Sequence, residues 1–314
     1  MIEPATIIKA DQKAQFKKPG RSLWGDAVVR LRRDPVAIGC LVVIIIYAII
    51  ALSSPLLLKS WDASYNYDLR NAPPSWHHLL GTDGLGRSVV QKVLLGAHVS
   101  MTVGFMANII AIPLGILLGA FAGYFGRRID DIIVWFYTTL ASIPGIILLI
   151  ALKFAFADKI LFEHTPFALD LSGMAGVYLA LGLISWIGTC RLVRAETMKL
   201  KELDFVQAAR AVGRSDMAIL INHILPNIVH IAIINFSLGF VSAISAEVML
   251  SFLNLGVQNL PSWGKMINDA RMDLVVGRWW ELAAAVTATF MIVLSWNLFG
   301  DRLRDALDPK LKNG

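Results

Sequence analysis

Two ionisable side chains, Glu247 and Lys153, stand inside long apolar runs, where a relay for protons or ions would need groups of that kind. Lys153 lies near the end of its run, so its four-carbon stem lets the ammonium snorkel to a polar boundary. Glu247 is deeper and must be paired, protonated or facing water; one carboxylate is a thin relay, and a structural hydrogen bond within a helix bundle is the favoured reading. Other chemistries lack their spacing. Gly264 and Lys265 are followed by methionine and miss the upstream glycine of a phosphate loop. Gly81, Gly84 and Gly86 follow no expected strand and read as a turn, not a dinucleotide fingerprint. Six histidines (77, 78, 98, 164, 223 and 230) show no paired metal spacing, and His77 and His78 beside Trp76 read as an interfacial aromatic cluster. Cys40 and Cys190 both lie in apolar runs, so neither a disulfide framework nor a zinc ribbon can be built. No catalytic residue, metal site or cofactor is expected in this chain.

The elements that hold these residues follow from composition. Of 314 residues, 56% are hydrophobic and only 17% charged. With a mean hydropathy of +0.61, the chain needs lipid as part of its solvent. Its net charge of +6 is scattered between apolar segments and makes no nucleic-acid face. About 20 apolar residues of helix cross a hydrocarbon core about 30 Å thick. Six segments qualify: residues 36–54, 99–124, 132–157, 171–190, 228 to about 252, and 282–299. Pro113 and Pro144 fall inside the second and third and are expected to kink them. Glycines 173, 176, 182 and 188 would let the fourth span pack closely. The expected fold class is all-α: a polytopic membrane protein with six transmembrane helices.

Lysine and arginine set the orientation. Placing the N-terminus inside puts 20 of the 29 basic residues in segments 1–35, 125–131, 191–227 and 300–314, as the positive-inside rule favours. The first apolar run begins only after 35 residues and lacks a small-residue cleavage site, so it reads as a retained span rather than a signal peptide. Before it, Leu23, Trp24, Ala27, Val28 and Leu31 recur at helical spacing, with Arg30, Arg32 and Arg33 at the end, as in an interfacial helix. The organisation is then a cytoplasmic tail with that helix at 1–35, a first span and outside loop at 36–98, a core of five spans with the 191–227 loop at 99–299, and a cytoplasmic tail at 300–314.

The segment 191–227 is too long and too patterned for a plain connector. Residues 203–212 (LDFVQAARAV) favour a helix that Gly213 stops. Ser215 followed by Asp216 reads as the N-cap of a second short helix ending near Pro226. Ala208, Ala209 and Gly213 leave a surface without bulky side chains, flanked by Arg210 and Arg214, which another protein's groove could approach closely. An amphipathic pair resting on the bilayer fits the same pattern.

QAARAVGRSDMAILINHILPN, residues 207–227, resembles the E-A-A-x-x-x-G loop, ending in H-x-L-P-N, of binding-protein-dependent ABC transporter permeases. Ala208 and Ala209 match the paired alanines, Gly213 the glycine, and His223, Leu225, Pro226 and Asn227 the closing signature; Gln207 stands where glutamate is usual. HLLGTDGLGRSVVQKVLLGAHVS (78–100), LSFLNLGVQ (250–258), PSWG (261–264) and GDRLRDALDPKL (300–311) resemble segments of the C-type subunit of dipeptide, oligopeptide and nickel permeases. His98 stands where arginine is common, and Arg302 where glycine is.

The resemblance implies a bacterial inner-membrane importer. Its parts are this subunit, a second, unlike permease subunit, two cytoplasmic ATPase subunits carrying ATP and Mg, and an extracytoplasmic solute-binding protein. ATPase coupling is then expected at Gln207, Ala208, Ala209, Arg210, Gly213, Arg214, Ser215, Asp216, His223 and Pro226. Asn108, Asn235, Ser242, Ser245 and Glu247 are candidates for the translocation path, from their place in apolar helices. Peptides are the favoured cargo. A secondary transporter or a channel without ATPase partners is the rival, and the missing relay argues against it.

Overall fold

The computed structural model describes residues 23–57, 65–156, 159–161, 169–257 and 260–307. The tail expected before residue 23, most of the 158–170 loop and the last residues of the C-terminal tail lie outside them. Helix α1 (Leu23–Arg33) ends in Arg30, Arg32 and Arg33. Asp34 alone separates it from α2 (Pro35–Ser53), an apolar span that starts with proline where a helix needs no donor. Then follow α3 (Val89–Phe125), α4 (Arg127–Ala141), α5 (Gly145–Ala155), a two-residue hairpin of β1 (Ile160–Leu161) and β2 (Leu169–Asp170), and α6 (Met174–Leu200). The rest is α7 (Asp204–Ala211), α8 (Asp216–Ile219), a π turn (Leu220–Ile224), α9 (Leu225–Phe252), α10 (Trp263–Ala270) and α11 (Trp280–Leu307). Five of the described helical runs are long and apolar enough to cross a membrane, or six if the bent pair α4 and α5 counts as one.

Two expectations about local structure need correction. The third span is not one kinked helix: α4 and α5 meet at 92°. Pro144 removes a backbone donor and biases Ile143 away from helix. The hydroxyls of Thr138 and Thr139 donate back to the carbonyls of Val134 (2.7 Å) and Trp135 (2.8 Å), weakening the ladder just ahead of the break. Pro113, by contrast, sits inside the unbroken α3. Nor does a short helix end near Pro226. Residues 216–252 form one 37-residue run. The π turn lets Leu225 N–H bond to Leu220 O just before the proline, whose ring would crowd a regular turn.

α3 and α6 form the axis of the bundle. Gly115, Gly119 and Gly123 line up on α3, and a Cβ on Gly119 would stand 2.6 Å from Cys190 O, so the two backbones meet along a small-residue stripe. Of the glycines expected to serve close packing in the fourth span, Gly182 meets Ile110 and Gly176 tucks against Leu171 O, while Gly188 has nothing within 4 Å. α2 joins the bundle through α11, where Tyr47 Oη donates to Ala288 O at 3.0 Å.

Candidate functional site

The two ends of this bundle differ in construction. At one, residues 66–88 fold onto the starts of α3 and α11. Gly81 and Gly86 adopt positive φ (72° and 76°) in the expected turn, and a Cβ on Gly86 would overlap Asn66 O at 1.7 Å. Trp280 Nε1 donates to Thr82 O at 3.0 Å. Beneath this loop Lys92 is 5% exposed, bonded to Asp83 at 3.3 Å and to Glu281, with Asp269 at 3.6 Å. Burial alone would push the Asp83 carboxyl up. The Lys92 ammonium, the Arg87 and Leu85 N–H groups and the Arg87 guanidinium outweigh it and hold Asp83 below the usual carboxylate range.

The other end carries the 191–227 segment. Val206, Ile219, Leu220 and Ile224 are buried against Ala120 and Tyr124 of α3, Val193 of α6 and Ile228 and Ile231 of α9, which anchors α7 and α8 to three long helices at once. Tyr124 Oη donates to Asp216 Oδ1 at 2.7 Å, and the Arg210 guanidinium lies 5.9 Å from the Tyr124 ring centre. α7 ends as expected at Gly213, whose φ is +82°. Ser215 Oγ accepts from Ala218 N–H at 3.4 Å and caps α8.

From the inward anchor an outward face remains. Gln207, Ala208, Arg210, Gly213, Arg214, Ser215 and Asp216 are all exposed, Ala209 is half-buried, and Val212 is 84% exposed. Ala208, Ala209 and Gly213 make the small-residue surface that the sequence suggests, flanked by Arg210 and Arg214, with a protruding valine. His223 lies behind it, 6.5 Å from the Phe205 ring, and Pro226 is exposed at the start of α9. Gln207 Nε2 donates to Lys201 O at 3.0 Å and ties α7 to the end of α6; a glutamate carboxylate could not make that bond.

The path candidates divide. Ser242 and Ser245 lie on an exposed stripe of α9 with Leu238 and Met249, and Asn235 is half-buried. Asn108 is buried, donating to Gly104 O at 2.7 Å and pressed against Gly239. Glu247 is fully buried, accepting from Ser100 (2.8 Å) and Ser251 (2.7 Å), with Ser262 a third partner. That is the structural hydrogen bonding expected of it. Lys153 donates to Ser172 O at 2.6 Å, reaching backbone carbonyls at the span's edge. Among the described residues no group of three or more His, Cys, Asp or Glu side chains could hold a metal ion. The residues that sequence reasoning missed are the partners: Tyr124, Val206, Lys92 and Glu281, and the exposed polar break at Thr138, Thr139 and Ser142.

A bundle of five or six described helices long and apolar enough to cross a membrane, with one long loop wedged between spans, defines a multi-pass membrane protein. Residues 115–313 match the family described as binding-protein-dependent transport system inner membrane component, and residues 22–74 match the N-terminal TM domain of oligopeptide transport permease C. The chain belongs to the binding-protein-dependent transport permeases, the membrane components of ABC importers, whose ATPase is a separate subunit. It is 36% identical over 298 residues, 94% of each chain, to the glutathione transport system permease protein GsiD of Pectobacterium atrosepticum. It is 35% identical over 293 residues, 93% of this chain and 91% of the other, to the dipeptide transport system permease protein DppC of Alkalihalophilus pseudofirmus. A solved chain of the MetNI methionine ABC transporter, in an inward facing conformation, shares the fold with a TM-score of 0.51 at 18% identity, over 70% of this chain and 96% of that one.

Proposed function

We propose that this chain is the C-type permease subunit of an ATP-driven importer of small peptides, and that the exposed 207–217 face is the handle by which an ATPase subunit moves it. The peptide assignment is supported by relatives named for dipeptides and for glutathione, itself a small peptide. The complex has a second, unlike permease subunit, two cytoplasmic ATPase subunits with ATP and Mg, and an outside solute-binding protein. N- and C-termini are cytoplasmic, as the basic residues favour. One observation carries the coupling reading: an accessible small-residue face is backed by buried Val206, Ile219 and Leu220, and its far edge is the start of a 37-residue helical run. A run of that length extends about 55 Å, well beyond a hydrocarbon core of about 30 Å. Motion of the loop is thereby transmitted along α9, and closure of the ATPase alternates access through differential contacts in two states.

The solute path runs between this bundle and its partner, along Asn235, Ser242 and Ser245 of α9 and past the exposed break between α4 and α5. Irregular polar backbone at span depth is tolerated against water or protein, not lipid. Asn108 and Glu247 then shape the path from behind rather than touching solute. The test of coupling is co-purification with the ATPase after Ala208→Asp plus Val212→Asp, both at exposed positions. The expected result is a folded permease that loses its ATPase and its ATP-driven uptake. Retention of both would overturn the proposal.

A further inference from the structure

Helix α1 makes a fixed elbow with α2 and α11, independent of the coupling surface. Ala27 and Leu31 of α1 pack on Ile233 and Ile234 of α9 and on Leu303, Ala306 and Leu307 of α11. Asp34 accepts from Val36 N–H at 2.9 Å and Ala37 N–H at 3.3 Å, capping α2, and its other oxygen meets Arg302 Nε at 3.4 Å. Both arms of the elbow are therefore held. Between them runs a groove of about 210 Å³ walled by Val28, Leu31, Ala37, Ile38, Leu41 and Phe299, with Arg32 the one charged lining residue among those described. A neighbouring recess shares Leu31 and is bordered by Arg30, Asp34, Arg302 and Asp305.

We infer that this elbow binds an anionic phospholipid of the surrounding leaflet, with an acyl chain in the groove and the phosphate against Arg32 and the adjacent Arg33. The groove wall is apolar and opens beside exposed Val28 of α1 and beside Ile38 and Leu41, the surface that a spanning α2 shows to lipid. A free anion finds no partner along such a wall, whereas a lipid satisfies wall and rim together. Arg32 and Arg33 are both exposed at the end of α1, where a membrane-surface helix places its basic residues at headgroup depth. Guanidinium forks hold phosphate oxygens in pairs, and juxtamembrane basic clusters attract anionic over zwitterionic headgroups. Arg30, Arg302 and Arg304 add to the positive field, and Asp34, Asp301 and Asp305 offset part of it, so among the described side chains here basic groups remain in excess.

The test is native mass spectrometry of the purified transporter complex, titrated separately with dioleoyl phosphatidylglycerol and dioleoyl phosphatidylcholine. The expected result is preferential retention of phosphatidylglycerol. Arg32→Gln plus Arg33→Gln reduces that preference roughly ten-fold or more, and Arg32→Lys plus Arg33→Lys keeps most of it. Val28→Trp fills the groove without touching a charge and also lowers phosphatidylglycerol retention. Equal retention of the two lipids by the wild type would overturn the inference, as would displacement of phosphatidylglycerol by inorganic phosphate. An undiminished preference in the glutamine variant would do the same. The two wild-type measurements decide the matter even if a variant fails to assemble.

Discussion

At one end of the bundle Lys92 is 5% exposed and shared among Asp83, Glu281 and Asp269; at the other, Val212 stands 84% exposed on a face that also shows Ala208, Gly213 and Ser215 between Arg210 and Arg214. The first end spends charge inward, fastening the 66–88 loop to two spans. The second turns Val206, Ile219, Leu220 and Ile224 inward and leaves an accessible outward face on which Val212 protrudes. A region that must keep its shape is served by buried ion pairs, because losing one partner strands the others away from water. A region that must be gripped and released is better served by an anchored scaffold with an accessible surface.

The comparison breaks most severely at Lys92. Lys92→Met leaves Asp83 and Glu281 buried without their shared cation, and a loss of about 3–5 kcal/mol is expected, read as a fall in thermal stability of the purified complex. A variant as stable as wild type would show the pairs to be incidental. Asp83→Asn has a smaller effect with a defined pH dependence. Because the folded carboxyl lies below its unfolded value of about 3.9, its contribution is fully present above that pH and is lost as pH falls through the lower folded value. The stability gap between wild type and Asp83→Asn should therefore stay flat from pH 7 to about 4 and close only below; a gap that closes near pH 6 would contradict the assignment. Smallest is Gln207→Glu, which removes a donor to Lys201 O and costs about 0.5–1.5 kcal/mol locally, visible as faster amide hydrogen exchange in α7 with global stability unchanged.

Most of the spans were legible because an apolar run of about 20 residues without charge has few other solutions. The bend of the coupling loop was legible as well, since Gly213 and Ser215 are local signals whose meaning does not depend on distant residues. The break in the third span was not, because Ser142, Ile143 and Pro144 interrupt a segment that remains apolar on both sides, and hydropathy reads through a turn. The run through Pro226 was missed for the opposite reason: proline argues for an end, and the π turn that accommodates it leaves no mark in composition. Least legible was the Lys92 cluster. Its partner Glu281 is 189 residues away, and no local pattern tells which acid a lysine will meet. For the same reason a polar residue's place in an apolar helix does not tell which way it faces. The structure leaves Ser242 and Ser245 outside while drawing Asn108 and Glu247 into the interior.

The handle can be tested directly by cross-linking. With buried Cys40 and Cys190 replaced, a single cysteine is placed at Val212, or for comparison at Trp76, which is 95% exposed near the opposite end, and the assembled transporter is labelled with a short thiol-directed benzophenone reagent and irradiated. The expected result is a Val212→Cys adduct with the ATPase subunit whose yield changes when ATP is added, and no ATPase adduct from Trp76→Cys. An ATPase adduct from Trp76→Cys, or none from Val212→Cys in a complex that still transports, would contradict the assignment of the handle.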